Sequence, residues 1–123
     1  MKHNNLTTAE VATKFVDMCR LDKFYEVQTE LYADNCISIE PNDLMLPKVI
    51  EGLEGIRQKA KMFEAAVEHV HGRIISEPTV GGNHFTVSWS ADITFKERGR
   101  ITMEQICVFK VHEGKIVLEQ FFY

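Results

Sequence analysis

The sequence predicts an α+β fold in which a curved antiparallel sheet, crossed by three helices, forms a cone with an internal pocket. Three observations predict it. From residue 84 to 96 the chain alternates: Phe85, Val87, Trp89, Ala91, Ile93 and Phe95 point one way, and Thr86, Ser88, Ser90, Asp92, Thr94 and Lys96 the other. A period of two over this length marks a strand with one face on the core. Two more strand-like runs, 101–112 and 115–123, follow across the turns Glu97-Arg98-Gly99-Arg100 and Glu113-Gly114, so the sheet is a meander. Ahead of it lie three stretches with apolar residues at helical spacing, and the apolar face of the meander needs that cover. Where a twisted sheet meets helices at one end only, the other end stays open, and such openings hold ligands.

Taken in order, Thr7 caps a first helix, Thr8–Arg20, with Glu10 three residues on to complete a capping box. Val11, Phe15 and Met18, flanked by Ala12 and Cys19, form its apolar stripe. Asp22 is placed to cap a second helix carrying Phe24, Tyr25, Val27, Leu31 and Tyr32, which Ala33-Asp34-Asn35 ends. Residues 36–40 read as a short strand, and 41–47, bracketed by Pro41 and Pro47, as a loop. The third helix runs from Gly52 to about His69. Leu53, Ile56, Ala60, Phe63 and Val67 line one side of it, and Glu54, Arg57, Lys61 and Glu64 the solvated side. Gly72 marks a bend, 73–80 a strand, and Gly81-Gly82-Asn83 a hairpin turn into the long strand.

The 123 residues suit one domain. With 45% hydrophobic residues, 26% charged residues and a formal net charge of −4, the chain has an ordinary globular composition. Lys and Arg are scattered, which argues against nucleic acid and anionic membrane as partners. No run approaches the roughly 20 apolar residues of a membrane span, and Met1-Lys2-His3-Asn4-Asn5 lacks the apolar core of a secretory signal. Cys19, Cys36 and Cys107 are odd in number and widely spaced, as expected of reduced thiols in a cytoplasmic protein. His69 and His71 stand two apart, a spacing that suits no common zinc pattern. The expectation is therefore no metal and no cofactor.

Four short motifs recur in a known order: Leu31-Tyr32-Ala33-Asp34-Asn35 before the short strand, Glu40-Pro41 at its end, Glu51-Gly52-Leu53-Glu54-Gly55-Ile56 opening the third helix, and Val108-Phe109-Lys110-Val111-His112-Glu113-Gly114-Lys115-Ile116 in the last hairpin. With them the chain resembles, over nearly its whole length, the nuclear transport factor 2-like (cystatin-like cone) superfamily, and most closely its SnoaL-like branch. That superfamily includes ketosteroid isomerases, polyketide cyclases, epoxide hydrolases, dehydratases and association domains. In the isomerases an Asp before a Pro ends the short strand and acts as the base. The resemblance gives that place to Glu40, followed by Pro41. An acid on the penultimate strand completes their oxyanion hole, and its place looks like that of Gln105. Their first-helix Tyr has no counterpart here, where Phe15 lies near the matching position.

Read from the residues, Glu40 is a candidate general base, since a carboxylate beside an apolar cavity can take a proton from carbon next to a carbonyl. A solvated acid at a strand end is the plain alternative. If Ile37 and Ile39 face the core, alternation sends Glu40 outward, and only a bulge before Pro41 re-aims it. Gln105 shares a strand face with Ile101, Met103, Cys107 and Phe109, so it points inward, as does Gln120 with Ile116, Leu118 and Phe122. Trp89 is a core or pocket-wall residue, and Phe15, Tyr32, Phe63, Met103, Cys107 and Phe109 complete the expected pocket lining. Cys107 reads as an inert thiol and Asp92 as exposed. Ile106, Val108, Val117, Phe121 and Tyr123 fall on the outer sheet face, an apolar patch that a homodimer would cover. Two functions remain open. One is the binding of a small, largely apolar molecule, with cofactor-free isomerase-, cyclase- or dehydratase-type acid–base chemistry if the protein is an enzyme. The other is a non-catalytic association or ligand-binding module. An inward Glu40 and Gln105 favour the first, and a cone filled by Phe15, Phe63, Trp89 and Phe109 the second.

Overall fold

A computed structural model describes residues 5–123. Its elements run α1 (Thr8–Arg20), α2 (Phe24–Leu31), β1 (Tyr32–Ile39), β2 (Val49–Glu51), α3 (Leu53–Ala66), β3 (Val67–Ile75), β4 (Thr79–Gly81), β5 (His84–Phe95), β6 (Gly99–His112) and β7 (Lys115–Phe122). The strands form one curved, unclosed sheet ordered β2-β1-β7-β6-β5-β3, with β4 also paired to β5. The three helices and this sheet make the expected α+β cone. The sheet is mixed rather than wholly antiparallel, because β1 runs parallel to β7. The chain reaches that position by crossing from β2 at one edge through α3 to β3 at the other, and returning through β5 and β6 to β7.

The capping box forms as the sequence requires: Thr7 Oγ1 accepts from the Glu10 amide at 3.1 Å, and the Thr7 amide donates to the Glu10 carboxylate at 2.8 Å. Such a cap is worth about 1 kcal/mol. α1 then buries Val11, Ala12, Phe15, Val16 and Cys19 in the main core with Phe85, Val87, Cys107 and Phe109. Asp22 caps nothing. It takes a left-handed φ of 60° and pairs with Arg73, while Lys23 occupies the N-cap position of α2. The α2 helix ends at Leu31 and β1 starts at once, so Ala33-Asp34-Asn35 is not the helix stop. These residues lie where the β1–β7 register shifts, between Tyr32 and Ile37.

The third helix stops at Ala66, and Val67 begins β3. Val67 fits the helical repeat, yet it pairs with Phe95 across the sheet; tertiary pairing overrides a weak local pattern here. His69 and His71 consequently sit on a strand, not at a helix end. The β3–β5 register shifts between Val70 and Gly72, which is where the expected bend occurs. At the other end of α3, a Cβ on Gly55 would come within 2.7 Å of the Ile50 side chain. Glycine there lets the helix lie close to β2, and so aims the next turn, with Lys59, into the cone.

Candidate active site

Five buried side chains converge inside the cone: Tyr32 and Ser38 of β1, Glu40 just beyond it, Lys59 of α3 and Glu119 of β7. Lys59 on α3 donates to Glu40 Oε2 at 2.7 Å and to Ser38 Oγ at 2.6 Å. Ser38 donates onward to Glu119 Oε2 at 2.6 Å, and Tyr32 to Glu119 Oε1 at 2.5 Å. Lys59 lies 3.8 Å from Glu119 and 4.9 Å from the centre of the Phe121 ring. The cluster is nearly dry: Ser38, Glu40, Lys59 and Glu119 are 1–8% exposed. Burying charges costs several kcal/mol per ion unless they are paired and hydrogen-bonded, and here each carboxylate oxygen has a donor.

Among the described residues, Tyr123 links the cluster to the surface. Tyr123 donates to Glu40 Oε1 at 2.7 Å and is itself 57% exposed. It also lines a groove of about 300 Å³, together with Met45 from the 41–47 loop, Phe95, Ile101, Met103 and Gln105. Arg98, Thr102 and Glu104 also line this groove, and Arg98 touches the sulfur of Met45. Inside the cone Trp89 stands directly across from Gln105, and Ala91 from Met103. The opposite end is filled. Phe15 and Phe109 have ring centres 4.6 Å apart, and Phe85 stacks on Phe109 at 4.7 Å.

A family model for the SnoaL-like domain matches residues 6–123. The chain belongs to the SnoaL-like domain family. Among solved structures it is similar to a protein from Mesorhizobium loti described as a SnoaL-like polyketide cyclase, at 30% identity over 96% of this chain and 100% of that one, with a TM-score of 0.90. The fold is shared with an isomerase-like protein from Bacillus subtilis (21% identity, 94% of this chain, 88% of that one, TM-score 0.74). It is shared too with a protein of ketosteroid isomerase-like fold from Catenulispora acidiphila solved with trimethylamine (20%, 95% and 87%, TM-score 0.70). No curated protein matches the chain.

Against the SnoaL-like fold the expected residues separate clearly. Glu40 is inside the cone, by a route the sequence reading had reversed. Cys36, Ser38 and Glu40 are the buried set on β1, while Ile37 and Ile39 are half-buried on the other face. Plain alternation delivers Glu40 inward, and no bulge before Pro41 is needed. Gln105 is half-buried in the groove but does not touch Glu40, whose partners are Lys59 and Tyr123. Tyr32 belongs to the cluster, and Met103 lines the groove. Phe15, Cys107 and Phe109 are packed core, not pocket wall. Trp89 packs against Phe15 and Phe24, and Phe63 edge-on against Phe95 at 5.7 Å. Asp92 sits on the outer face, where the Arg100 guanidinium holds its carboxyl below the usual range.

Gln120 is a correction. It pairs with Val108 and Ile39 and lies on the outer face. The cause is a bulge: Lys110 pairs with Leu118 but Val111 pairs with Ile116, so Val117 is an extra residue in β7. An extra residue reverses the alternation beyond it, so Glu119 and Phe121 turn inward and Gln120 and Phe122 turn outward. Phe121 and Tyr123 therefore leave the outer patch. Lys59, Ser38, Glu119 and Tyr123 were the site residues that the sequence reading passed over. For Lys59 a signal existed: it follows Ile56 by three and precedes Phe63 by four, on the edge of the apolar stripe.

Burial sets the acid–base character of the neutral groups. It pushes the Cys19, Cys36 and Cys107 thiols up to about 12, and all three are free and buried. Burial, then the charge of Glu119, holds the Tyr32 phenol well above the ordinary value. Tyr123 is pushed up to about 12, first by burial and then by its hydrogen bond to Glu40. Among the described residues no group of three or more His, Cys and carboxylates could hold a metal ion, and none of the helices is long and apolar enough to cross a membrane.

Proposed function

We propose that this SnoaL-like protein, working in the cytoplasm, binds a small, largely apolar organic molecule in the groove beside Tyr123. The Tyr123–Glu40 pair is the polar end of that site. The observation that carries the reading is the junction itself: a buried, fully hydrogen-bonded ionic cluster reaches the surface through one phenol, and that phenol lines an apolar groove. A protein that needed the cluster only for stability would gain as much from apolar residues of similar volume. If chemistry follows binding, it is acid–base chemistry in which Tyr123 and Glu40 exchange a proton with the ligand. Both Glu40 oxygens already accept hydrogen bonds, so direct abstraction by Glu40 requires Tyr123 to move aside first.

The test is an amide-resolved NMR titration with a fragment library of small apolar compounds. Binders should move Met45, Met103, Gln105 and Tyr123 together. A library that moves none of them, at millimolar concentration, defeats the reading.

A second reading rests on a different observation. The filled aromatic end and the outer sheet face suit a non-catalytic association module. On that face Ile106 and Phe122 pair and are 46% and 48% exposed, beside half-buried Val108, Leu118, Ile37 and Ile39. We propose a homodimer through this corrected patch, which keeps Ile106 and Val108, replaces Phe121 and Tyr123 by Leu118 and Phe122, and leaves out Val117, the extra residue of the bulge. Light scattering should give twice the chain mass at micromolar concentration. Val108→Glu should return it to one chain, and a mass that ignores this change rules the interface out.

A further inference from the structure

We propose that the groove selects a molecule presenting a hydrogen-bond donor to Tyr123, a protonated amine above a hydroxyl, and discriminates against one that offers only a carbonyl oxygen; this rests on the binding reading above. The directions of the hydrogen bonds require it. A carboxylate only accepts, and an ammonium only donates. Lys59 therefore gives one proton to Glu40 and another to Ser38, which leaves Ser38 to send its single proton to Glu119. Tyr32 and Tyr123 direct their phenolic protons to Glu119 and Glu40. Every proton at the groove end of the cluster is committed inward, and what Tyr123 can still offer is its oxygen lone pairs. A carbonyl in the same place would set oxygen against oxygen, or would have to strip Glu40 of a donor.

Charge points the same way. Glu40 and Glu119 carry two formal negative charges against the single positive charge of Lys59, so the cluster holds one negative charge in excess. Of the groove's other charged lining residues, Arg98 and Glu104 cancel in formal charge. A cationic head group placed at Tyr123 supplies the missing charge, and in a partly dry site that attraction is stronger than in bulk water. Phe95, Ile101 and Met103 leave room for a compact apolar body.

The test uses three probes of one shape, cyclohexylamine, cyclohexanol and cyclohexanone, titrated at pH 7 and followed by NMR. Affinity should fall in that order, with the amine about tenfold or more tighter than the ketone, the usual size of one hydrogen bond to a charged group. Tyr123→Phe should abolish the preference for cyclohexanol over cyclohexanone, which only the phenol's lone pairs supply, while the amine keeps the part of its advantage that comes from the cluster's charge. Changing Arg98→Gln and Glu104→Gln together, which leaves the net charge of the groove as it was, should leave the order intact. A ketone that binds as tightly as the amine overturns the inference. So does an alcohol-over-ketone preference that survives Tyr123→Phe, or an order that vanishes when Arg98 and Glu104 are both neutralised, since those two charges and not the cluster would then be responsible. If none of the three probes moves the groove residues, the binding reading falls and takes this inference with it; if all three bind alike, only the inference falls.

Discussion

The aromatic end of the cone and the ionic end beside it, which meet where Glu119 lies across from Phe109, are held by opposite kinds of force. In the first, Phe15, Phe85 and Phe109 pack ring against ring. In the second, Glu40, Lys59, Ser38, Glu119 and Tyr32 are joined bond by bond. The apolar end tolerates small adjustments, because dispersion and hydration act on any close contact. The charged end has no such tolerance, because one missing donor leaves a buried charge unpaired. It is also the end that communicates with solvent, through Tyr123. The filled end fixes the fold, and the ionic end holds a reactive arrangement in place beside an opening.

The sharpest way to break this contrast is to damage each end once and then attempt repair. Phe109→Ala should lower stability by about 3–5 kcal/mol, as for other buried aromatics. Lys59→Met should lower it by a similar amount, about 3–5 kcal/mol, because it strands two buried carboxylates. Adding Glu40→Gln and Glu119→Gln to Lys59→Met should recover much of that loss, since an ionic cluster removed whole is often neutral. Urea denaturation measures all of these. If the triple variant is no better than Lys59→Met alone, the charges are not what the lysine balances.

A smaller break targets one bond of the cluster. Glu119→Gln keeps the shape but turns an amide N–H₂ toward either Tyr32 or Ser38, both of which donate in the native state. The loss should be about 1–3 kcal/mol, the range for one unsatisfied buried group. A loss no larger than that of a surface substitution would mean that water replaces the missing acceptor.

These residues also mark how far the sequence could be read. The helices, the long alternating strand and the turns were legible because each is a local pattern. The end of α3 was not, since Val67 satisfies a helical period and only its pairing with Phe95 makes it a strand. Glu40 is legible as a candidate, but its orientation is not: hydropathy favours Ile37 and Ile39 for the core, and the structure gives that face to Ser38. In the structure Ser38 is 1% exposed because Lys59 and Glu119 need it. Glu119 and Tyr123 depended on the bulge at Val117, which no residue of β7 announces. Polar clusters are built from long-range bonds, so their members are the last to be visible in a linear pattern.

The thiols give a contrast in pH rather than in packing. Cys19, Cys36 and Cys107 ordinarily ionise near 9 and are pushed up to about 12 by burial. The folded state thus favours the neutral thiol. Its advantage is complete below about pH 9 and is lost as pH rises toward 12. Thermal melts should be insensitive to the cysteines below pH 8 and fall steeply above pH 9, and Cys107→Ala should make that fall shallower. An equal slope in the variant would show that another group governs alkaline unfolding.

The smallest change in stability should come from Tyr123→Phe, and it tests the contrast most directly. Tyr123 is more than half exposed, so losing its hydroxyl removes one hydrogen bond that water can replace at Glu40, a loss of no more than about 1 kcal/mol. The aromatic end should not register it: near-ultraviolet signals from Trp89 and its neighbours should stay as they are. The ionic end should register it in two ways. The phenol pushed up to about 12 disappears from an alkaline absorbance titration, and the groove loses the hydroxyl that joins it to Glu40. If the variant unfolds as Lys59→Met does, Tyr123 is a structural member of the cluster and the opening is incidental. If it stays folded while losing its grip on small polar probes, the cluster is held together from within and used from Tyr123 outward.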